Sequence, residues 1–295
     1  TLAKQGQVLH PLTHAVMQPR PLFGEPLKLD ADADPREALA DWITSPSNDY
    51  FAQVMVNRVW ADLMGRGIVE PVDDLRATNP PSNPALISAL AKQFRDDKFD
   101  LKKLLRTIVT SQVYSLSSKP TKENTPDTRN YSRRYRTRMR AEVLADAVCD
   151  ITGVEEKYEA MPLGSRASQL WTHRIDSLFL DTFGRPDPNQ DPPCERVSEG
   201  AVTQVLHLMN GPDIYRKVTA DEGRAAQLAA SAKTPEQIVE EIYLLCYGRL
   251  PSSDEQQIGK QVFAAGGEST PATRRQATED LLWALLNTPE FVFND

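Results

Sequence analysis

The feature that most constrains the fold of this chain is a helix-start signal that recurs along it. A residue able to cap a helix stands directly before a proline at Asp34-Pro35, Asn83-Pro84, Thr234-Pro235, Thr270-Pro271 and Thr288-Pro289. The capping side chain accepts a hydrogen bond from the first helical turn, and proline fits the first helical position, where no N–H is needed. Each pair therefore predicts that a helix begins at its proline.

Apolar side chains recur three or four residues apart after these signals and in several other segments, as expected of amphipathic helices. The predicted apolar stripes are Phe51, Val54, Met55, Val59 and Leu63; Leu86, Ile87, Leu90 and Phe94; Leu101, Leu104, Leu105, Ile108 and Val109; Val143, Leu144, Ala147, Val148 and Ile151; Val202, Val205, Leu206 and Met209; Ile238, Val239, Ile242 and Leu245; and Leu281, Leu282, Leu285 and Leu286. Alternation with period two is almost absent, so little sheet is expected. We predict an all-α fold with at least eight helices.

The helical segments fall into two groups, which predicts two packed helical lobes. We expect an extended leader over 1–33, an N-terminal lobe over 34–154 and a C-terminal lobe over 199–295. The Pro-rich segment 155–198 between the lobes lacks a long helical pattern and predicts an irregular connection. A segment this long is usually packed or functional rather than a simple linker.

Net charge, apolar runs and cysteine positions exclude several classes of function for this chain. The net charge of −7 argues against general nucleic-acid binding, which needs a basic surface. No apolar run approaches the roughly 20 residues that a membrane helix requires, so no membrane span is predicted. Cys149 and Cys246 lie on apolar helical faces and are predicted to be buried free thiols, whereas Cys194 lies in a loop. The three cysteines form no short metal-ligand spacing, and no cofactor is predicted in this chain.

Adjacent carboxylates and amides make the segment between the first two stripes a candidate site. Asp73 and Asp74 stand close to Arg76 and Asn79. Neighbouring carboxylates can act as acid and base if their environments differ, or can bind sugar hydroxyls or a cation. The alternative is that they cap the following turn and pair with Arg58 or Arg66.

Two further segments carry candidate groups. Glu195 could act as an acid or base oriented by Arg196, or the two could form a structural ion pair. His207, with Asn210 one turn later, stands on the flank of a predicted apolar face and could be catalytic or a satisfied, partly buried histidine. Trp60 and Trp171 are candidate platforms for sugar rings. We hypothesise that Asp73–Asn79, Glu195-Arg196 and His207 meet in one cleft, since pockets favour lobe boundaries.

Six arginines are concentrated in the segment Arg129–Arg140, with Tyr131 and Tyr135 between them. This pattern is found on surfaces that bind anions such as single-stranded nucleic acid or sulfated glycans. We favour instead arginines that join the lobes through Asp and Glu partners. The pattern leaves an anionic glycan open as a ligand.

Several phrases occur in an order that resembles one known family: Arg36–Trp42, Asn57–Trp60, Gly65–Asp74, Asn79–Pro84, Leu105–Val109, Phe179–Pro186, Cys194–Arg196, Leu206–Gly211 and Trp283–Asn287. From about residue 34 onward the chain resembles the planctomycete-type domain-of-unknown-function family numbered 1553, also called planctomycete-specific domain one. In that family a second cysteine precedes the Cys-Glu-Arg phrase by two positions. Pro192 stands there in this chain, which argues against a local disulfide.

The resemblance implies where the protein is located and which domains accompany it, but it implies no reaction. Family members are exported, cytochrome-c-associated multidomain proteins, so the resemblance implies a periplasmic or cell-surface location and haem elsewhere in the full-length protein. The start at Thr1 is expected of a processed product or of a fragment, in either case without any targeting signal. We therefore predict a non-catalytic structural or interaction module whose partners are other domains of the same protein. The alternative is a hydrolase or lyase that acts on an extracellular, sulfated polysaccharide, with Asp73, Asp74, Glu195 and His207 as its acid–base groups.

Overall fold

The structure is a computed structural model that describes residues 8–22, 24–27, 33–172, 174–186, 200–267 and 270–294. The chain divides into two compact units, Thr1–Tyr135 (unit 1) and Arg136–Asp295 (unit 2). The division lies before the helix that carries Val143–Ile151, which the sequence analysis placed in the N-terminal lobe. That helix packs against later segments of the chain, and this packing assigns it to unit 2.

Among its described residues, unit 1 contains one short hairpin and four helices. In the hairpin β1 (Val8–Leu9) pairs antiparallel with β2 (Val16–Met17), inside the predicted leader. The helices are α1 (Pro35–Thr44), α2 (Asp49–Met64), α3 (Pro84–Asp96) and α4 (Leu101–Val109). Side chains cap all four N-termini by accepting backbone N–H groups, and α2 ends at Gly65, which adopts a left-handed conformation.

The core of unit 1 forms where α2 packs on α3 and α4. The buried line of α2 is Ala52, Val56, Trp60 and Met64. The predicted stripe of α2 was shifted by one position, and its members Met55, Val59 and Leu63 are only partly buried around this line. On α4, Leu104 and Ile108 enter the core, whereas Leu101, Leu105 and Val109 are exposed.

Unit 2 contains nine helices among its described residues. These are α5 (Ala141–Thr152), α6 (Leu178–Thr182), α7 (Val202–Asn210), α8 (Pro212–Val218), α9 (Arg224–Ala230), α10 (Pro235–Tyr247), α11 (Ser253–Ala265), α12 (Pro271–Leu286) and α13 (Pro289–Val292). A short 3-10 helix, Ala167–Gln169, precedes α6. A two-residue strand, β3 (Thr137–Arg138), pairs antiparallel with β4 (Phe293–Asn294), so the two ends of the unit meet.

One helix organises the core of unit 2. The helix α12 contacts α8, α9, α10, α11 and α13, and it buries Leu281, Leu282, Leu285 and Leu286. On the other side of the core, α5 contacts α6, α8, α9 and the 3-10 helix. The predicted Pro-rich connection therefore belongs in part to this core, because Phe179, Leu180 and Phe183 are buried in it.

The all-α prediction is confirmed, with thirteen α-helices and only two-residue strands in the described part of the chain. The helices α1, α3, α10, α12 and α13 begin at the five predicted prolines. Among the described residues, no helix is both long and apolar enough to span a bilayer. The prediction for α7 was wrong, because its apolar stripe faces outward while Gln204 and Leu208 are buried.

Candidate functional site

The candidate carboxylates of unit 1 are each bound by an arginine. Asp73 accepts two hydrogen bonds from Arg58, at 2.7 and 2.8 Å. Asp74 accepts two from Arg76, at 2.6 and 2.7 Å. Each guanidinium holds the pKa of its carboxyl below the usual range, so both carboxylates are ionised at neutral pH. The sequence left open whether Asp73 pairs with Arg58, and the structure shows that it does.

The loop that presents these carboxylates is fixed by two amide side chains. Asn57, fully buried on α2, donates from Nδ2 to the Val69 and Val72 carbonyls and accepts the Val69 N–H with Oδ1. Asn79 donates to the carbonyl oxygens of Asp74 and Glu70. The candidate Asn79 therefore uses its amide N–H groups to hold the loop. We did not predict from the sequence that Asn57 holds this loop. The sequence did contain a signal for it, because a polar residue on the buried side of a helix needs hydrogen-bond partners.

The two candidate tryptophan platforms have opposite environments. Trp60 is only 3% exposed and packs edge-on against Tyr131, with ring centroids 5.4 Å apart. Its ring lies in the core of unit 1, which corrects the hypothesis that it binds a ligand there. Trp171 is 74% exposed in unit 2, so its indole ring is accessible.

His207 is held by an acidic partner and two aromatic rings. Its Nε2 lies 3.2 Å from Oδ2 of Asp213, near the start of α8. The rings of Phe179 and Phe183 pack edge-on against the imidazole, with centroids 5.6 and 6.1 Å away. His207 is therefore largely buried between α6, α7 and α8. Asn210, the last residue of α7, is exposed.

A cavity of about 200 Å³ lies beside this pair in unit 2. Its lining includes Asp213 and a buried lysine, Lys217, whose side chain is 4% exposed. The Lys217 ammonium contacts Oε2 of Glu156 at 3.0 Å, the Val154 carbonyl at 3.2 Å and Sγ of Cys149 at 3.4 Å. Three acceptors match its three N–H groups, and the Glu156 carboxylate compensates its charge inside the protein.

The two cysteines that the structure describes, Cys149 and Cys246, are not activated as nucleophiles. Burial raises the pKa of Cys149, and the nearby Lys217 charge offsets only part of this effect. Burial raises the pKa of Cys246 to about 12. Both thiols are free, as predicted, although each is partly rather than fully buried. A thiol with a raised pKa is mostly protonated at neutral pH and is a poor nucleophile.

A second cavity, of about 380 Å³, lies on another side of unit 2. Its described lining includes Arg140, Glu142, Ser168, Trp171, Thr172 and Arg185. The Arg185 side chain is 3% exposed, and its Nε donates to Oδ1 of Asp181 at 2.6 Å. Its Nη1 is buried without a hydrogen-bond partner.

The arginine-rich segment binds carbonyl groups and aromatic rings within each unit. In unit 1, Arg134 lies over the Tyr114 ring, with Cζ 4.2 Å from its centroid, and donates to the carbonyls of Tyr114 and Leu63. In unit 2, Arg138 donates to the Phe183 carbonyl at 3.0 Å. These contacts stabilise the segment within its own units. The prediction that the arginines join the lobes through acidic partners stays a prediction.

The predicted cleft also stays a prediction. Asp73 and Asp74 belong to unit 1 and His207 to unit 2, whereas Glu195 and Arg196 lie outside the described residues. No cluster of three or more His, Cys, Asp or Glu side chains suited to a metal ion occurs in the part of the chain that the structure describes.

Comparison with known proteins assigns the chain to a family. The family model of PSD1, a protein of unknown function (DUF1553), matches residues 35–263. The chain belongs to the PSD1 family. This finding confirms the resemblance drawn from the sequence phrases. Comparisons with curated proteins and with solved structures find no match for this PSD1 chain.

The PSD1 match begins at the first residue of α1 and ends within α11, so it covers residues of both units. Asn57, Asp73 and Asp74 of unit 1 lie inside it, as do Arg185 and Lys217 of unit 2. Each site described above therefore belongs to the PSD1 portion of the chain.

Proposed function

We propose that this PSD1 domain is a non-catalytic interaction module that docks another domain of the same exported protein. The observation that carries the proposal is the outward-facing apolar stripe of α7. Its four side chains are exposed to 75% at Val202, 57% at Val205, 51% at Leu206 and 44% at Met209. Their spacing of three and four residues places them in one line along the helix.

A further exposed leucine lies on the helix that packs against α7. Leu178, the first residue of α6, is 71% exposed, and α6 packs against α7. Scattered exposed leucines are ordinary on a protein surface, but four exposed apolar side chains in one line along a helix indicate an interaction site. Burying such side chains against a partner is favourable by about 25 cal/mol per Å² of apolar surface removed from water.

The state of the candidate catalytic groups supports a non-catalytic role. Asp73 and Asp74 are held ionised by arginines, and a general acid at neutral pH needs a raised pKa instead. Burial raises the pKa of the Cys149 and Tyr158 side chains in the Lys217 cavity, which disfavours both as nucleophiles. The Lys217 ammonium already forms an ion pair with Glu156. These groups are arranged for stability rather than for proton transfer.

The family resemblance supports the choice of partner. It implies an exported multidomain protein, located in the periplasm or at the cell surface, in which a companion domain precedes this one and haem is bound elsewhere. A partner within the same polypeptide has a high effective concentration, so a patch of moderate size is sufficient for docking.

Hydrogen–deuterium exchange tests this proposal by comparing the 295-residue chain with the full-length protein. We expect the backbone amides of α7 to exchange more slowly in the full-length protein, because the docked domain excludes water from the helix. Leu206→Asp should abolish this extra protection, since a carboxylate would be buried at the interface. Ile258→Asp, at a similarly exposed apolar position on α11, is the matched control and should leave it intact.

Two results would overturn the proposal. One is equal exchange of α7 in the two proteins. The other is self-association of the 295-residue chain that Leu206→Asp abolishes, since this would identify a second copy as the occupant. Sedimentation velocity over a range of concentrations distinguishes self-association from docking within one polypeptide.

A further inference from the structure

A buried arginine with an unused N–H lines the larger cavity of unit 2. The Arg185 guanidinium is almost completely removed from solvent, and Asp181 accepts only its Nε–H. Its Nη1 has no acceptor. Leaving a charged donor buried without an acceptor is unfavourable, so an anionic group that enters the cavity would gain a favourable contact.

The same cavity is bordered by an aromatic ring that the fold leaves exposed. Trp171 is the most exposed tryptophan or tyrosine side chain among the large exposed hydrophobic residues of the described chain. An indole ring presents a large apolar face together with a polar N–H, so it suits a ligand that is apolar on one face and polar at its edges. A sugar ring has this character.

Hydroxyl groups add polar contacts near both residues. Ser168 and Thr172 line the cavity, and Thr172 Oγ1 accepts the Arg174 backbone N–H, which leaves its own O–H available to donate. Arg140 and Glu142 also line the cavity, carry opposite charges and have interactions of their own. Arg185 is itself paired with Asp181 through Nε, so what it offers a ligand is the Nη1 N–H, which has no acceptor.

We propose that this cavity binds an acidic saccharide, with Trp171 under a sugar ring and Arg185 attracting its carboxylate or sulfate group. The volume of about 380 Å³ is sufficient for one or two sugar units. The proposal is distinct from domain docking through α7, since no residue of α7 lines the cavity.

The charge of the protein favours a saccharide over a nucleic acid. A long phosphate backbone needs an extended basic surface, and this chain has a net charge of −7. A single buried guanidinium beside one exposed indole ring instead fits one anionic group on one sugar. Carboxylate and sulfate are both accepted by arginine, so the probes must distinguish between them.

Isothermal titration calorimetry with three polysaccharides tests the proposal. We expect binding of dextran sulfate or of polygalacturonate, which carry sulfate and carboxylate groups respectively, and no measurable binding of uncharged dextran. The preferred polymer identifies the anionic group. Trp171→Ala should weaken that binding about tenfold, or about 1.4 kcal/mol. Tyr215→Ala, another highly exposed aromatic position of unit 2 outside the cavity, is the matched control.

A second pair of variants tests the arginine. Arg185→Lys keeps the charge but loses the planar fork, so it should weaken binding about tenfold as well. Arg129→Lys, at an exposed arginine of unit 1, should leave the affinity unchanged and controls for binding to the arginine-rich segment. Circular dichroism establishes that each variant is folded. If Arg185→Lys does not fold, the test rests on Trp171→Ala, because that exposed side chain contributes little to the core.

Three outcomes would overturn the proposal. The first is that neither acidic polymer binds more tightly than dextran. The second is that Trp171→Ala binds the preferred polymer as tightly as the wild type does. The third is that single-stranded polyuridylate binds as tightly as the acidic polysaccharides and loses affinity in Trp171→Ala, which would assign the cavity to nucleic acid.

Discussion

The ammonium nitrogen of Lys217 lies 3.4 Å from the sulfur of Cys149. This contact joins α8 to α5, and the same ammonium binds Glu156 and the Val154 carbonyl in the segment that follows α5. A lysine so deeply buried is stabilised only because all of its donors are used. The buried position of Cys149 also affects how fast its thiol reacts.

We predict a fixed order of thiol reactivity in the native protein. In a Cys194→Ser background, iodoacetamide at pH 8 should alkylate Cys149 more slowly than a free thiol, because burial raises its pKa. Cys246 should react more slowly still, since burial raises its pKa to about 12. Peptide mass spectrometry over a time course measures both rates. In denaturant the two rates should become equal, and a native Cys246 that reacts faster than Cys149 would contradict the prediction.

Asn57→Ala should destabilise unit 1 by about 2–4 kcal/mol, because it leaves the Val69 N–H and the carbonyls of Val69 and Val72 without their partner. Arg58→Gln is the matched control one position later on the same helix. It removes an exposed ion pair with Asp73 and should cost no more than about 1 kcal/mol. Urea denaturation measures the free energy of unfolding of both variants. Equal losses of that free energy would show that Asn57 does not hold the loop.

Glu255, one acidic partner of Arg249, should make the stability of unit 2 depend on pH. Arg249 donates to both carboxylate oxygens of Glu255 at 2.8 Å, and the pKa of Glu255 is lowered to about 2. A lowered pKa stabilises the folded state above the ordinary value of 4.5, and this contribution is lost as the pH falls toward 2. Glu255→Gln retains a side-chain acceptor for the Ser252 N–H, so it isolates the charge.

We expect Glu255→Gln to cost about 1–2 kcal/mol at pH 7, a value reduced for the partial exposure of the pair. The difference from wild type should shrink between pH 5 and pH 2, since the wild-type carboxylate becomes protonated there. Urea denaturation at several pH values measures this trend. A difference that stays constant over that range would show that the charge of Glu255 contributes nothing.

Gly259 allows α11 to approach α10 closely. A Cβ at this position would lie 2.5 Å from Cγ2 of Val239, a fully buried and β-branched side chain. Gly259→Ala should therefore cost about 1–3 kcal/mol through overpacking, although alanine is the better helix former by about 1 kcal/mol. Gly200→Ala, where an added Cβ meets nothing within 4 Å, should change the stability by less than about 0.5 kcal/mol. Thermal denaturation of the two variants measures the contrast, and a stabilised Gly259→Ala protein would contradict it.

Local sequence signals were sufficient to predict where several helices begin. Asp34, Asn83, Thr234, Thr270 and Thr288 each cap a helix that starts at the following proline, as predicted. Capping depends on a few neighbouring residues, so it can be predicted from local sequence alone. The all-α class follows from the same local signals. The family assignment, too, could be made from the order of short sequence phrases and is confirmed by the match over residues 35–263.

Long-range packing, in contrast, determines which side of each helix is buried and which polar groups meet. The apolar side of α7 points outward, because Gln204 and Leu208 face the core instead. Trp60 is buried and Trp171 is exposed, although both were candidate platforms. The buried contact of Lys217 with Cys149 joins residues 68 positions apart in the chain. Burial depends on segments that are distant in sequence, and no local pattern specifies which of several apolar surfaces they cover.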